Sequence, residues 1–389
     1  MSLDTLNKKP LSLNVNNKTR QVDYDLHGMV GIRLVDATEN DISVVNRQLG
    51  PIQKVLNREP DITVRFIDEI KTSSKLHYLG VNEVAFSDDA FMILRSKHKT
   101  RAKVQIPFER IGRNIELTCE RGLLGIPLLI PIINLTALRK GNLPLHASAF
   151  IYNSFGVLAT GWAKGGKTET LLAFMSNGAD YVGDEWIYLD PGGKKMYGIP
   201  EPIRVWDWHL QYLPDYWGMV SIRDRARLKS INLLVNPLEW VISNGVASRS
   251  PSIRMMSRMI PLLKRQLYVH LAPKKIFGTN NSPLEGPLDK MFFVISYEDA
   301  DIQVKPIDSQ RVASQMVYSL QEERQDLISA YLKFRFAFPE VRNELIENLE
   351  ELQKTALERI LRDKEAYVVY HPYPVSIPAL FQTLRTYLN

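Results

Sequence analysis

Eight residues, GWAKGGKT from Gly161 to Thr168, match the pattern G-x-x-x-x-G-K-[ST] in full. Each residue type in it has a chemical use. Gly161, Gly165 and Gly166 lack a Cβ, so their backbone N–H groups can turn inward and approach a phosphate closely. Lys167 supplies a mobile positive charge for the β- and γ-phosphates, and Thr168 a hydroxyl for Mg2+. Lys164, inside the loop, is either a further phosphate contact or a solvated lysine. The bare pattern arises by chance in roughly one chain of this length per hundred. Its surroundings therefore decide. GVLAT before it reads as an apolar strand, and KTETLLAFM after it as a helix whose unpaired N-terminal amides favour anions.

A phosphate loop also needs a carboxylate for its metal, normally at the end of a neighbouring strand. The stretch DYVGDEW offers Asp184 and Glu185, the first sixteen residues beyond Thr168. Adjacent residues on a strand point to opposite faces, so both reach one site only where the chain bends. Gly183 permits such a bend. One carboxylate would then hold Mg2+ while the other takes the proton of an attacking hydroxyl. His146, in LPLHASAF, begins the strand that turns through NSFG and runs into the loop. A structural and a catalytic role are both open to it.

These residues need a scaffold. Residues 1–20, rich in Asn, Lys and Ser, read as a flexible tail. Residues 21–120 read as an α+β domain: GMVGIRLVDA as a strand, ENDISVVNRQLGPIQKVL as an amphipathic helix, then four short strands. Residues 121–310 form the domain that holds the loop. Its apolar opening, 122–138, is interrupted by Pro127 and Pro131 and reads as a buried helix, not a membrane span. Within this domain 245–290 is rich in Ser, Pro and Arg and suggests an insertion or lid. Residues 311–389 read as a C-terminal helical region. There Val341, Leu345, Leu349, Leu352 and Ala356 make a stripe for packing on the same chain or for the seam of a homo-oligomer. The fold class expected is α/β, or α+β taken over the whole chain.

Composition narrows the partners. At 389 residues the chain is long enough for two domains, and its net charge of +6 comes without dense Lys/Arg blocks, which argues against a dedicated nucleic-acid binder. The segment SRSPSIRMMSRMIPLLKRQLY reads as a basic-faced lid, and Trp206 and Trp208 as packed rings. A single cysteine, Cys119, excludes an internal disulfide and a Cys-based metal site. With no apolar signal segment at the start, the expected compartment is the cytoplasm.

The run PLHASAF…GVLATGWAKGGKTETLLAFMSNGADYVGDEW resembles the C-terminal catalytic domain of HPr kinase/phosphorylase and its bacterial HPr-kinase-like relatives. The order and spacing of the histidine element, hairpin, loop, helix and acidic pair agree, as does Glu169 after the hydroxyl residue. The V-G-D-E stretch is also similar to the metal-binding stretch of ATP-dependent phosphoenolpyruvate carboxykinase, whose nucleotide core shares that P-loop fold. The close resemblance spans 144–188, and a looser one reaches about residue 310.

This resemblance implies an HPr-kinase/carboxykinase-type P-loop domain with a mixed sheet. It gives Lys167 and Thr168 to phosphate and Mg2+, adds Glu169 to the loop, and makes His146 a catalytic or phosphate-contacting residue. Asp184 and Glu185 fall where the family has two aspartates, as metal ligand and base. EPIRVWDW is similar in place to the family's Glu/Arg signature and nominates Glu201 and Arg204 as lining residues. The departures are Glu185 in place of an aspartate and the unfamiliar ends of the chain.

The function expected is therefore an ATP- and Mg2+-dependent kinase acting on a hydroxyl of a peptide, protein or small molecule. The alternative is a nucleotide-binding regulator or scaffold with little catalysis. A carboxykinase-like enzyme would need a second-metal set and an arginine clamp for a dicarboxylate, which the sequence does not display.

Overall fold

The computed structural model describes residues 19–95, 101–243, 258–277 and 284–388 of the chain. The flexible-tail expectation for residues 1–18 lies outside the described residues.

Alternating side chains build the first sheet. In β3 (Ile62–Ile67), Ile62, Val64 and Phe66 are buried while their neighbours are only half-buried. It is joined by β1 (Arg20–Leu26), β2 (Val30–Ala37), β4 (His77–Leu79), β5 (Val84–Phe86), β6 (Phe91–Arg95), β7 (Arg101–Gln105) and β8 (Ile115–Glu120). The spatial order is β1-β2-β3-β8-β7-β6-β5-β4, parallel at β2–β3 and β3–β8 and antiparallel elsewhere. Helix α1 (Glu39–Leu49) starts with a capping box between Thr38 and Asp41. It is shorter than the sequence suggested, because Gly50 at φ +68° followed by Pro51 stops it. A Cβ on Gly50 would lie 2.4 Å from the Pro200 carbonyl oxygen, so the turn is also a close backbone approach.

The apolar segment 122–138 supplies the buried helix α2 (Leu129–Arg139). Among the described residues no helix is long and apolar enough to cross a membrane. Then come β9 (Leu143–Tyr152), β10 (Phe155–Thr160), α3 (Lys167–Met175), β11 (Asp180–Gly183), β12 (Trp186–Leu189) and β13 (Lys195–Gly198). A helical excursion follows: β14 (Ile203–Trp206), α4 (Asp207–Tyr212), α5 (Pro214–Trp217), α6 (Ile222–Ser243), α7 (Ile260–Lys264), β15 (Tyr268–Leu271) and α8 (Pro273–Phe277). Among the described residues strands β14 and β15 pair only with each other. The described part of the expected 245–290 insertion is thus α7, β15, α8 and β16; residues 244–257 and 278–283 lie outside the described residues.

The chain returns through β16 (Glu285–Pro287), β17 (Lys290–Ser296) and β18 (Gln303–Pro306) to α9 (Ser309–Glu323), α10 (Gln325–Ala337), α11 (Glu344–Glu347) and α12 (Leu349–Ile360). It ends with β19 (Glu365–His371) and α13 (Ile377–Leu384) before a last turn. The region after residue 311 is therefore not helical throughout. EAYVVYH, dense in β-branched and aromatic residues, forms β19 between β17 and β18.

The nine-stranded sheet runs β16-β13-β12-β9-β10-β17-β19-β18, with β11 also on β9, and β10, β17 and β19 are mutually parallel. It separates two cores. Met291 and Phe293 of β17 face α2, α9 and α12, whereas Phe292 and Val294 face α3 and α13. The first of these cores continues without a break into the eight-stranded sheet. Phe334 of α10 stacks 5.3 Å from Phe108 and meets Phe91 edge-on at 5.5 Å. Asn343 donates to the carbonyl oxygens of Phe108 and Ile111 at 2.7 and 2.9 Å. The C-terminal helices thus tie the two sheets together. In the predicted stripe Leu345, Leu349 and Ala356 are buried within the chain, while Val341 and Leu352 are exposed. The protein is a mixed α/β fold with mixed sheets.

Candidate phosphate-binding site

The loop Gly161–Gly166 connects β10 to α3, and each critical glycine has a measurable reason. Gly161 has φ +151°, and a Cβ there would lie 2.4 Å from the Val294 carbonyl oxygen. Gly166 has φ +110°, and its Cβ would lie 2.1 Å from Nε2 of His371 on β19. That imidazole also lies 2.8 Å from the Gly165 carbonyl oxygen, so it props the loop from beneath. Ser319 of α9 donates to the Gly161 carbonyl oxygen at 3.4 Å. Lys164 is exposed, with φ +62°.

Lys167 is only 6% exposed, and its ammonium donates to the carbonyl oxygens of Trp162 (2.9 Å) and Gly161 (3.3 Å). Burial holds its pKa below the ordinary lysine value, against the nearby charges of Glu185 and Asp184. At the first turn of α3 the Thr168 hydroxyl donates to Asp184, 3.1 Å from Oδ2 and 3.3 Å from Oδ1.

The two carboxylates reach one site by a bend that falls two residues later than Gly183. Glu185 itself takes φ +67°, a left-handed conformation that costs a residue with a Cβ about 1–3 kcal/mol. The lack of a Cβ at Gly183 serves packing instead, since one would lie 2.7 Å from the Ile187 side chain. Asp184 is 3% exposed; burial first, and the Glu185 charge second, raise its pKa to about 7. Glu185 is held below the usual carboxylate range by its bond to His146, helped by the charges of Lys167 and Arg204.

His146 lies between two acids. Its Nε2 is 2.9 Å from Glu185 Oε2, and its Nδ1 is 2.6 Å from Oε1 of Glu323, in an ion-pair contact whose angles fall short of a hydrogen bond. Burial alone would lower this imidazole's pKa, but the two carboxylates outweigh it and leave it raised. Glu323, at the last turn of α9, is lowered by the same contact against its own burial.

Glu169, expected in the loop, instead points across to His209 of α4, 3.0 Å from Nε2, and both side chains are buried. His209 Nδ1 accepts from the Trp206 backbone N–H at 3.2 Å. Trp206 and Trp208 pack on Tyr268 and His209, as their types suggested. Glu201 has a buried, unpartnered Oε1; burial and then the charges of Glu185 and Asp184 push its carboxyl well above the usual range. Arg204 on β14 is exposed, with its guanidinium 4.8 Å from the Tyr268 ring centroid.

The structure thus brings together the loop, Thr168, the acidic pair and His146 that the sequence nominated. Sequence reasoning missed Glu323 and His371, for neither has a local motif and both arrive from the C-terminal segment. A cleft of about 500 Å³ adjoins the loop, lined by Trp162, Lys164, Phe293, Ser296, Met316 and Tyr318. Among the described residues no group of three or more His, Cys, Asp or Glu side chains is arranged to hold a metal unaided. One hydroxyl and one carboxylate fit a Mg2+ that draws its other ligands from phosphate and water. No protein-family model matches the chain, and no curated protein matches it at a significant level.

Proposed function

We propose that the protein is an ATP- and Mg2+-dependent phosphotransferase that moves the γ-phosphoryl group to a hydroxyl, with a P-loop core of the HPr-kinase/carboxykinase type. One observation carries the reading: at the N-terminus of α3, the buried Lys167 ammonium and the Thr168–Asp184 pair converge beside a second, ionised carboxylate. Among the described residues the partners of Lys167 at hydrogen-bond distance are carbonyl oxygens, weak partners that a polyphosphate can replace. The 500 Å³ cleft beside the loop has the size of a nucleoside site, with Trp162 and Tyr318 as ring surfaces.

Roles follow from the environments. Thr168 and Asp184 are assigned to Mg2+, which when bound neutralises charge on the transferring phosphate. Glu185, kept ionised by His146, accepts the proton of the acceptor hydroxyl as its oxygen bonds to the γ-phosphorus and the bond to ADP breaks. His146 and Glu323 orient Glu185. The charge of Arg204 adds to those that hold Glu185 ionised. Catalysis is mostly positioning and charge neutralisation.

The test is transfer of γ-labelled phosphate from Mg-ATP into a fractionated extract of the source cells, with Asp184→Asn and Lys167→Ala alongside. A labelled species that disappears with both variants is the expected result. Variants that bind and turn over ATP like wild type would end this reading. Binding of ATP without any transfer would favour a nucleotide-dependent scaffold.

A further inference from the structure

A second cleft, of about 670 Å³, opens between the eight-stranded sheet and α10 and shares no lining residue with the nucleoside cleft. Val84 of β5 and Ile93 of β6 form one wall, residues 124–131 the next, and α10 the third. The walls are held in place before any ligand arrives. Gln48 of α1 accepts from the Ile126 N–H at 2.8 Å and donates to the Ile126 carbonyl oxygen at 3.1 Å. Lys333 of α10 donates to Glu83, beside β5, at 3.0 Å and so ties two walls together. Leu124 lines the cleft yet is 69% exposed, an aliphatic side chain that leaves water only when the cleft is occupied.

One end of this cleft meets the acidic pair. Along α10 its lining runs from Lys333 through Ser329 to Asp326, and Glu323 at the end of α9 continues the line. Glu323 shares His146 with Glu185, at 2.6 and 2.9 Å. Trp186, also in the lining, follows Glu185 in the chain and packs its ring 5.9 Å from the His146 ring. Helix α9 lines the nucleoside cleft as well, with Met316 and Ser319. Ser319 stands one turn, about 6 Å, before Glu323. The two clefts therefore open at successive turns of one helix, as phosphoryl transfer between a nucleotide and a separate acceptor requires.

The shape selects the occupant. Asp326 and Lys333 are about 10 Å apart along α10, and Glu323 lengthens the cleft further, so it is a groove for several extended residues. Its aliphatic wall suits alternate side chains of such a strand, and its charges, Arg95 and Lys333 against Glu83, Asp326 and Glu323, do not suit a polyanion. We propose that this groove is the acceptor site and that its occupant is an extended peptide segment. The segment lies along α10, sets an aliphatic side chain against Leu124, and presents a serine or threonine hydroxyl past Trp186 and Glu323 to Glu185. The hydroxyl oxygen bonds to the γ-phosphorus, its proton passes to Glu185, and the bond to ADP breaks. The inference rests on the phosphotransferase reading above.

The experiment offers γ-labelled Mg-ATP and a library of octapeptides, each with one central serine or threonine and all other positions randomised. Wild type, Leu124→Glu and Ser329→Trp are compared; both residues are exposed, so neither change threatens folding. Wild type should prefer peptides with Leu, Ile or Val near the hydroxyl. Losing the burial of one such side chain corresponds to roughly tenfold to a hundredfold, the expected fall in peptide kcat/KM for each variant. ATP affinity by calorimetry should stay within about twofold. Leu124→Glu should also shift the preference toward Lys or Arg at the aliphatic position, which a merely structural defect would not do. The same rates and preferences in all three proteins would overturn the groove. Label that enters small molecules of a cell extract but no peptide would overturn the peptide occupant and leave the phosphotransferase reading standing. A wild-type protein that transfers label to neither would overturn that reading, and the groove with it.

Discussion

Replacing Asp184 with Asn should stabilise the unliganded protein at alkaline pH while abolishing the proposed phosphoryl transfer. The carboxyl is buried, and its pKa stands at about 7 instead of 3.8. At about 1.4 kcal/mol per unit, keeping it ionised in the folded state costs on the order of 4 kcal/mol. The sign follows from linkage. A folded-state value above the unfolded one means that the native state binds the proton more tightly. The group's favourable contribution is then complete below about pH 4 and is lost as pH rises through about 7. Asn keeps the oxygen that accepts from Thr168 and removes the buried charge, but adds an NH2 whose imperfect pairing costs about 1–2 kcal/mol. The charge effect wins, leaving a net gain of about 2–3 kcal/mol at pH 8 that shrinks toward pH 5. Urea unfolding of both proteins in EDTA at the two pH values measures it. A variant less stable than wild type at pH 8 would refute the reasoning, since the apo site would then hold no electrostatic strain for a cation to relieve. Phosphoryl transfer should meanwhile fall by at least about a hundredfold.

Two further substitutions probe the supports of the site. Gly166→Ala combines a φ of +110° with a Cβ 2.1 Å from His371 Nε2, and should cost about 2–4 kcal/mol. Thermal unfolding checks it, and adding His371→Ala should recover part of the loss by opening the space. Glu323→Gln keeps the shape beside His146 but removes its charge, so kcat should fall about tenfold with ATP affinity unchanged, whereas a purely structural role would move thermal stability instead.

What the sequence made legible was local. Gly161, Gly165, Gly166, Lys167 and Thr168 lie within eight residues, and their spacing encodes a strand, a tight turn and a helix start. Asp184 and Glu185 follow just past the end of the next strand, close enough that chain connectivity nearly dictates their arrival. The bend was misplaced by two residues because Gly183 is the residue type that normally bends, while Glu185 takes the strained angle and Gly183 is used for packing. Glu169 shows the opposite failure. It agrees with the motif in position, but on a helix it sits 100° round from Thr168 and so faces α4, not the ligand side. Strand β19 was overlooked since it follows a long amphipathic helical run, although EAYVVYH has strand composition. Glu323 and His371 were illegible for a common reason: each depends on a pairing more than a hundred residues away in the chain, which no local pattern specifies.

Those distant pairings change what the loop is. A phosphate loop needs its backbone N–H groups fixed in one direction before the ligand arrives, because ordering them afterwards would consume binding energy. Here the fixing comes from the C-terminal segment at three points: His371 against Gly165 and Gly166, Ser319 on the Gly161 carbonyl, and Met316 beneath the Thr160 hydroxyl. The same helix that brings Ser319 and Met316 brings Glu323 to His146, so loop shape and carboxylate orientation are set by one rigid body. That helix is in turn packed against α12, and α10 beyond it is packed on Phe91 of the other sheet and on Phe108 in the turn between β7 and β8. Buried packing thus runs without a break from the eight-stranded sheet through α10 and α9 toward Glu323 and His146.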